Sequence, residues 1–102
     1  MLVKKKDFKR KEFRGFHFLL GAVGERMMVT LMQFKRGDKV ISHKHPNEQA
    51  GYCLSGRFEL MINERKYFVD EGDSYLIPAN EEHSYQFLED SKMVEVFSPP
   101  RQ

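Results

Sequence analysis

The sequence predicts an all-β fold, one domain over residues 1–102 built as a sandwich or barrel. Three observations carry this expectation. No stretch longer than about ten residues keeps a helical period. Short β-rich runs recur with turn signals roughly every 8–12 residues. With 102 residues, 40% apolar and 13% aromatic, the chain can close one core and no more, burying about 60–65% of its unfolded surface.

The elements follow in order. Residues 1–12 read as a basic N-terminal arm or an edge strand. Phe13 to Leu20 is β-rich, with Phe16, Phe18 and Leu20 on one face and His17 turned away from them. Gly21 and Gly24 mark a turn. Met27 to Lys35 is the next strand, stopped by Arg36-Gly37-Asp38. Gln49 to Leu54 follows a histidine cluster, and Ser55-Gly56 turns the chain into Arg57 to Ile62. Asn63-Glu64 suits a two-residue hairpin loop before Lys66 to Val69. After Glu71-Gly72-Asp73, Tyr75 to Ile77 ends at Pro78, which has no N–H to give a ladder. Ser84 to Leu88 and Met93 to Phe97 complete the set.

Composition narrows the function classes. No run approaches 18 apolar residues, so no membrane span is expected. Lys4-Lys5-Lys6 is followed by no apolar stretch of the signal-peptide kind. The single cysteine, Cys53, excludes an internal disulfide, reads as a buried small hydrophobe and fits a reducing, cytoplasmic setting. The net charge is +2, yet residues 1–14 alone carry +5, which leaves −3 on the rest. No aromatic stacking platform or helix-turn-helix pattern accompanies that basic arm, so nucleic acid is not expected as a partner.

Three of the four histidines fall in two short clusters. His43 and His45 are two apart, so on an extended strand both imidazoles share a face. Gln49 offers a carbonyl oxygen from the next strand, and His83 brings a third imidazole from a distant one. Glu48 should point to the opposite face from Gln49. Three imidazoles and an oxygen suit one divalent transition metal ion with open positions, whether nickel, zinc, iron, manganese or copper. In the last strand Met93, Glu95 and Phe97 share a face. Both faces there are largely apolar, so Glu95 is a candidate enclosed carboxyl.

The two clusters resemble the paired motifs of the cupins, small double-stranded β-helix (jelly-roll) barrels. The first motif runs Gly, five residues, His-x-His, three residues, an acid or Gln, six residues, Gly. Gly37, His43, His45, Gln49 and Gly56 fill it. In the second, Gly72, Pro78, His83 and Phe87 fall at their slots, with Asn80 where the middle Gly belongs. Asn tolerates the left-handed backbone that such a Gly supplies.

That resemblance implies a single cupin domain, a jelly-roll barrel, and His43, His45, Gln49 and His83 as metal ligands. Gln in a slot that many cupins fill with Glu leaves the ion's 2+ charge uncompensated and removes a metal-adjacent base, which counts against a cupin dioxygenase. Glu95-Val96-Phe97-Ser98-Pro99-Pro100-Arg101 is similar to the tail of the pectin-degradation cupins, which have Asp where this chain has Glu95. Those proteins convert 4,5-unsaturated galacturonate to its linear ketonised form. The likeness implies Glu95, Phe97 and Arg101 as the second group at the site. Glu95 would move the proton, Arg101 would pair with a sugar carboxylate, and Phe97, Tyr85 and Phe87 would form a stacking wall. It also implies a small-molecule substrate, a carboxylated sugar, and a homodimer formed by strand or sheet pairing. A non-catalytic metal-containing cupin that binds a small ligand is the alternative.

Overall fold

The computed structural model describes residues 1–101. Ten strands follow a short 3-10 turn at Lys5–Asp7: β1 Lys9–Phe13, β2 Phe16–Val23, β3 Met28–Phe34, β4 Lys39–His43, β5 Glu48–Ser55, β6 Arg57–Ile62, β7 Arg65–Asp70, β8 Ser74–Ile77, β9 His83–Phe87 and β10 Ser91–Ser98. They form two antiparallel sheets. One has the order β1-β2-β3-β10-β5-β8, the other β4-β9-β6-β7. This is the jelly roll that the two motifs implied. Among the described residues no helix is long and apolar enough to cross a membrane.

Alternation places the apolar side chains between the sheets. In β5 the burial alternates along the whole strand, with Gln49, Gly51 and Cys53 inward and Glu48, Ala50, Tyr52 and Leu54 outward. Phe58, Leu60 and Ile77 are fully buried, and each contributes roughly 1.5–3 kcal/mol relative to an exposed side chain. Phe87 stacks on Phe34 with ring centroids 4.2 Å apart, so it belongs to this core and not to the stacking wall expected of it. Cys53 is also in the core and free.

The core fills one end of the barrel, and the inward positions turn polar toward the other. β5 runs from Cys53 through Gly51 to Gln49. β9 runs from Phe87 through Tyr85 to His83, and β10 from Met93 through Glu95 to Phe97. The same three strands therefore build the core at one end and present the chemistry at the other.

Three local expectations are corrected. Phe13 to Leu20 is not one strand, because Arg14 (φ 49) and Gly15 (φ 83) turn the chain between β1 and β2. Gly21 lies inside β2, and an added Cβ there would meet the Phe8 ring at 3.0 Å, so it marks a close approach and not a turn. The strand that carries the first histidine ends at His43, which leaves His45 in the following loop. Asn80 does take φ 64, the left-handed conformation expected where the motif has Gly. At Gly56 (φ 94) an added Cβ would lie 2.3 Å from the Asp90 carbonyl, so the β5–β6 turn closes against the chain entering β10 only without a side chain.

Candidate metal centre and active site

Pairing of β4 with β9 sets His43 directly opposite His83. The register slips between Val40 and His43, so these two residues, three apart, both serve the interior. His45 reaches the same point from the loop. Its carbonyl accepts from the Asn80 N–H at 2.8 Å, and Asn47 donates its side-chain amide to the Pro99 carbonyl at 2.6 Å. Those bonds tie the loop to the β8–β9 connection and to the C-terminal tail. One ligand atom from each of the three histidines lies within 4.8 Å of the others.

The hydrogen bonds fix which nitrogens are free. Each Nδ1 sits against a backbone carbonyl: His43 on Ile41 at 3.0 Å, His45 on Asn47 at 3.0 Å, His83 on Glu81 at 2.9 Å. A carbonyl only accepts, so each Nδ1 carries the proton and each Nε2 is left with a lone pair. Metal-binding imidazoles are oriented in this way. Among the described residues, His83 Nε2 is a buried polar atom with no partner. Burial lowers the pKa of all three imidazoles, that of His83 to about 4. They are therefore neutral, and able to ligate, near pH 7.

Gln49 supplies a further sign. Its Nε2 donates to Glu95 Oε2 at 2.7 Å and to the Tyr85 hydroxyl at 2.9 Å, which turns its Oε1 toward His45 Nε2 at 3.1 Å. Two acceptors then face each other. A cation resolves that contact, because two ligands about 2.1 Å from one ion at a right angle are about 3.0 Å apart. The donor set fits a divalent transition ion held by His43, His45, His83 and the Gln49 oxygen.

Glu95 lies on the far side of Gln49. It is 2% exposed and paired in register with Thr30 on one side and Gly51 on the other. Oε2 accepts from Tyr75 at 2.6 Å, Tyr85 at 2.7 Å and Gln49 at 2.7 Å. Burial raises its pKa, and those three hydrogen bonds pull it back only in part. Burial first, and the Glu95 charge second, hold both phenols protonated well above their usual range.

Tyr75 was not among the residues singled out from the sequence. Its ring occupies the space over Gly51, its register partner, where an added Cβ would lie 2.1 Å from Cζ. A glycine at an inward position of an otherwise filled strand was the available signal.

These groups border a cavity of about 200 Å³. His43, His83, Gln49, Tyr85 and Glu95 form its polar side; Phe18, Met28, Met32, Phe34 and Phe97 form the apolar one. Phe97 also packs edge-on to His45, with centroids 5.9 Å apart. Arg101 and Phe13 stand at the rim. The Arg101 guanidinium carbon lies 4.3 Å from the Phe13 ring centroid, and half-burial lowers its pKa without discharging it.

A rolled sheet with inward histidines from two separate motifs defines a class. The Cupin domain family matches residues 30–98, and the chain belongs to that family. It is similar to pectin degradation protein KdgF of Dickeya dadantii (strain 3937), 34% identical over 77 residues that make up 74% of this chain and 70% of that protein. An H2HPP isomerase of Bacillus subtilis is 37% identical over 67 residues, or 64% of this chain, which spans 28% of that relative's length. The solved structure of KdgF from Halomonas sp. superposes with a TM-score of 0.88 over 100% of this chain and 96% of that one, at 26% identity.

Proposed function

We propose that this cupin is a metal-dependent isomerase of a small carboxylated sugar, and that it ketonises 4,5-unsaturated galacturonate. The observation that carries this reading is the position of Glu95. A buried carboxyl with a raised pKa borders the cavity and is bridged by Gln49 to His45, one of three imidazoles poised for a metal ion. Likeness to a pectin-degradation protein and to an isomerase supports it.

A divalent ion at the three histidines and Gln49 would supply Lewis-acid polarisation of a bound oxygen. The rest falls to side chains. Opening the sugar ring breaks its C1–O5 bond as the anomeric hydroxyl gives up a proton. That leaves an aldehyde at C1 and an enol at C5; a proton added at C4, with loss of the enol proton, makes the ketone. Every proton given up by oxygen is matched by one taken up, so a carboxyl that accepts and returns protons ends unchanged. Glu95 suits that part, since its raised pKa brings it closer to the working pH. Gln49 and the two tyrosines hold Oε2, and no side chain among the described residues donates to Oε1. Arg101 offers two parallel hydrogen bonds to a carboxylate, and Phe97 a flat apolar wall for the ring.

Glu95 stands where the pectin-degradation cupins have Asp. Its carboxyl is held by both tyrosines at once, so the longer side chain has a fixed position beside the cavity. The decisive measurement follows ultraviolet absorbance of the unsaturated uronate with the metal-loaded protein. Signal loss no faster than background rules the reaction out.

A further inference from the structure

The turn between β1 and β2 breaks a local rule beside the cavity rim. A two-residue hairpin turn with both central residues at positive φ favours Asn, Asp and Gly. Gly15 obeys, but the other central residue is Arg14 at φ 49, whose long side chain gives the backbone no help. A local rule broken beside a cavity points to a functional position. The Arg14 guanidinium carbon lies 5.3 Å from the centroid of the Phe13 ring, the ring that Arg101 approaches at 4.3 Å. Phe13 itself lies 5.5 Å, centroid to centroid, from His43. Among the described residues neither guanidinium comes within 4.0 Å of a carboxylate, and Glu12 on the same rim pairs with neither. The two cations on one ring repel each other, the buried Glu95 carboxyl offsets that repulsion only for Arg101 and from a distance, and an anion received beside the pair relieves it.

We infer that Arg14 is a second carboxylate-recognition residue, which with Arg101 flanks Phe13 as a guanidinium pair that selects small carboxylates over their uncharged analogues. This rests on the cavity being the substrate site, but not on the reaction assigned to it. Guanidinium forks match carboxylates bidentately, so loss of one fork should weaken carboxylate binding roughly tenfold.

The test compares D-galacturonate, pyruvate and benzoate with their methyl esters, followed by NMR shift titration with and without a bound divalent ion. Wild-type protein should prefer the acids, and added sodium chloride should shrink the preference. Arg14→Asn should cut the acid-over-ester ratio roughly tenfold. Its thermal midpoint should hold or rise, because Asn suits this turn. Arg14→Lys should recover part of the ratio. No acid preference in wild type, an undiminished one in Arg14→Asn, or an equal loss of acid and ester binding together with a lower midpoint would each overturn the assignment. Absent ketonisation with the acid preference intact would sink the proposed reaction alone.

Discussion

Gln49 donates its side-chain amide to the buried carboxyl of Glu95 at 2.7 Å, across 46 residues of sequence. The same amide turns its oxygen to His45. One neutral side chain is thus placed for two tasks: an oxygen donor for the proposed metal ion and a hydrogen-bond donor for the candidate proton carrier. A Glu in its place could do only the first.

Gln49→Glu therefore sets two carboxyls at hydrogen-bond distance, where they cannot both ionise. In metal-free protein this variant should lose about 2–3 kcal/mol of stability. A divalent ion should restore more of that loss than it adds to wild type. Thermal denaturation with and without the ion reads this out, and an unchanged metal-free midpoint would contradict the contact.

Glu95→Gln should lower kcat by about 10²–10⁴-fold while uronate affinity changes little. If turnover persists, Glu95 is not the proton carrier. Loss of binding and turnover together would argue for a structural role.

His83→Ala removes an imidazole whose Nε2 is buried and unpartnered. Competition with a chelator should show divalent-ion affinity weaker by roughly 100-fold or more, since even indirect supports of a ligand are worth 10–100-fold. Elemental analysis of protein purified without affinity metal should find the ion in wild type and not in the variant.

Metal-free protein should be acid-labile. Burial depresses the His83 pKa from 6.5 to about 4 in the folded chain. Between those values the unfolded state binds the proton and the folded state resists it. Stability is therefore fully present above about pH 6.5 and is lost as pH falls toward 4, by up to about 1.4 kcal/mol per pH unit for this group. Urea midpoints measured across that window should fall with pH, and His83→Asn should flatten the slope. A flat wild-type profile would refute the depressed pKa.

Gly51→Ala should cost roughly 1–3 kcal/mol by forcing the Tyr75 ring aside. Tyr75→Phe keeps the ring and loses one hydrogen bond to Glu95, so it should cost nearer 1–2 kcal/mol. Chemical denaturation ranks the two. Equal and negligible losses would show that Gly51 is not reserved for Tyr75.

Short-range features were legible where their cause is local. Arg57 to Ile62 was delimited by Ser55-Gly56 and Asn63-Glu64, and β6 has those bounds. Asn80 was expected to accept a left-handed backbone, and it does. The turn at Arg14-Gly15 was missed because an arginine does not announce a positive φ. The bulge that turns His43 inward was missed because it depends on how β4 meets β9.

Alternation, turn residues and motif spacing, all written in the sequence itself, determined that this chain would be a rolled β-sheet with three converging imidazoles. Only the tertiary structure decided that Gln49 would bridge His45 to Glu95, that Tyr75 would occupy the space over Gly51, and that Arg14 would share Phe13 with Arg101. The reason is physical. Side-chain facing follows from a period of two along one strand, whereas a contact between strands depends on register, and register is settled by all the strands closing the barrel together.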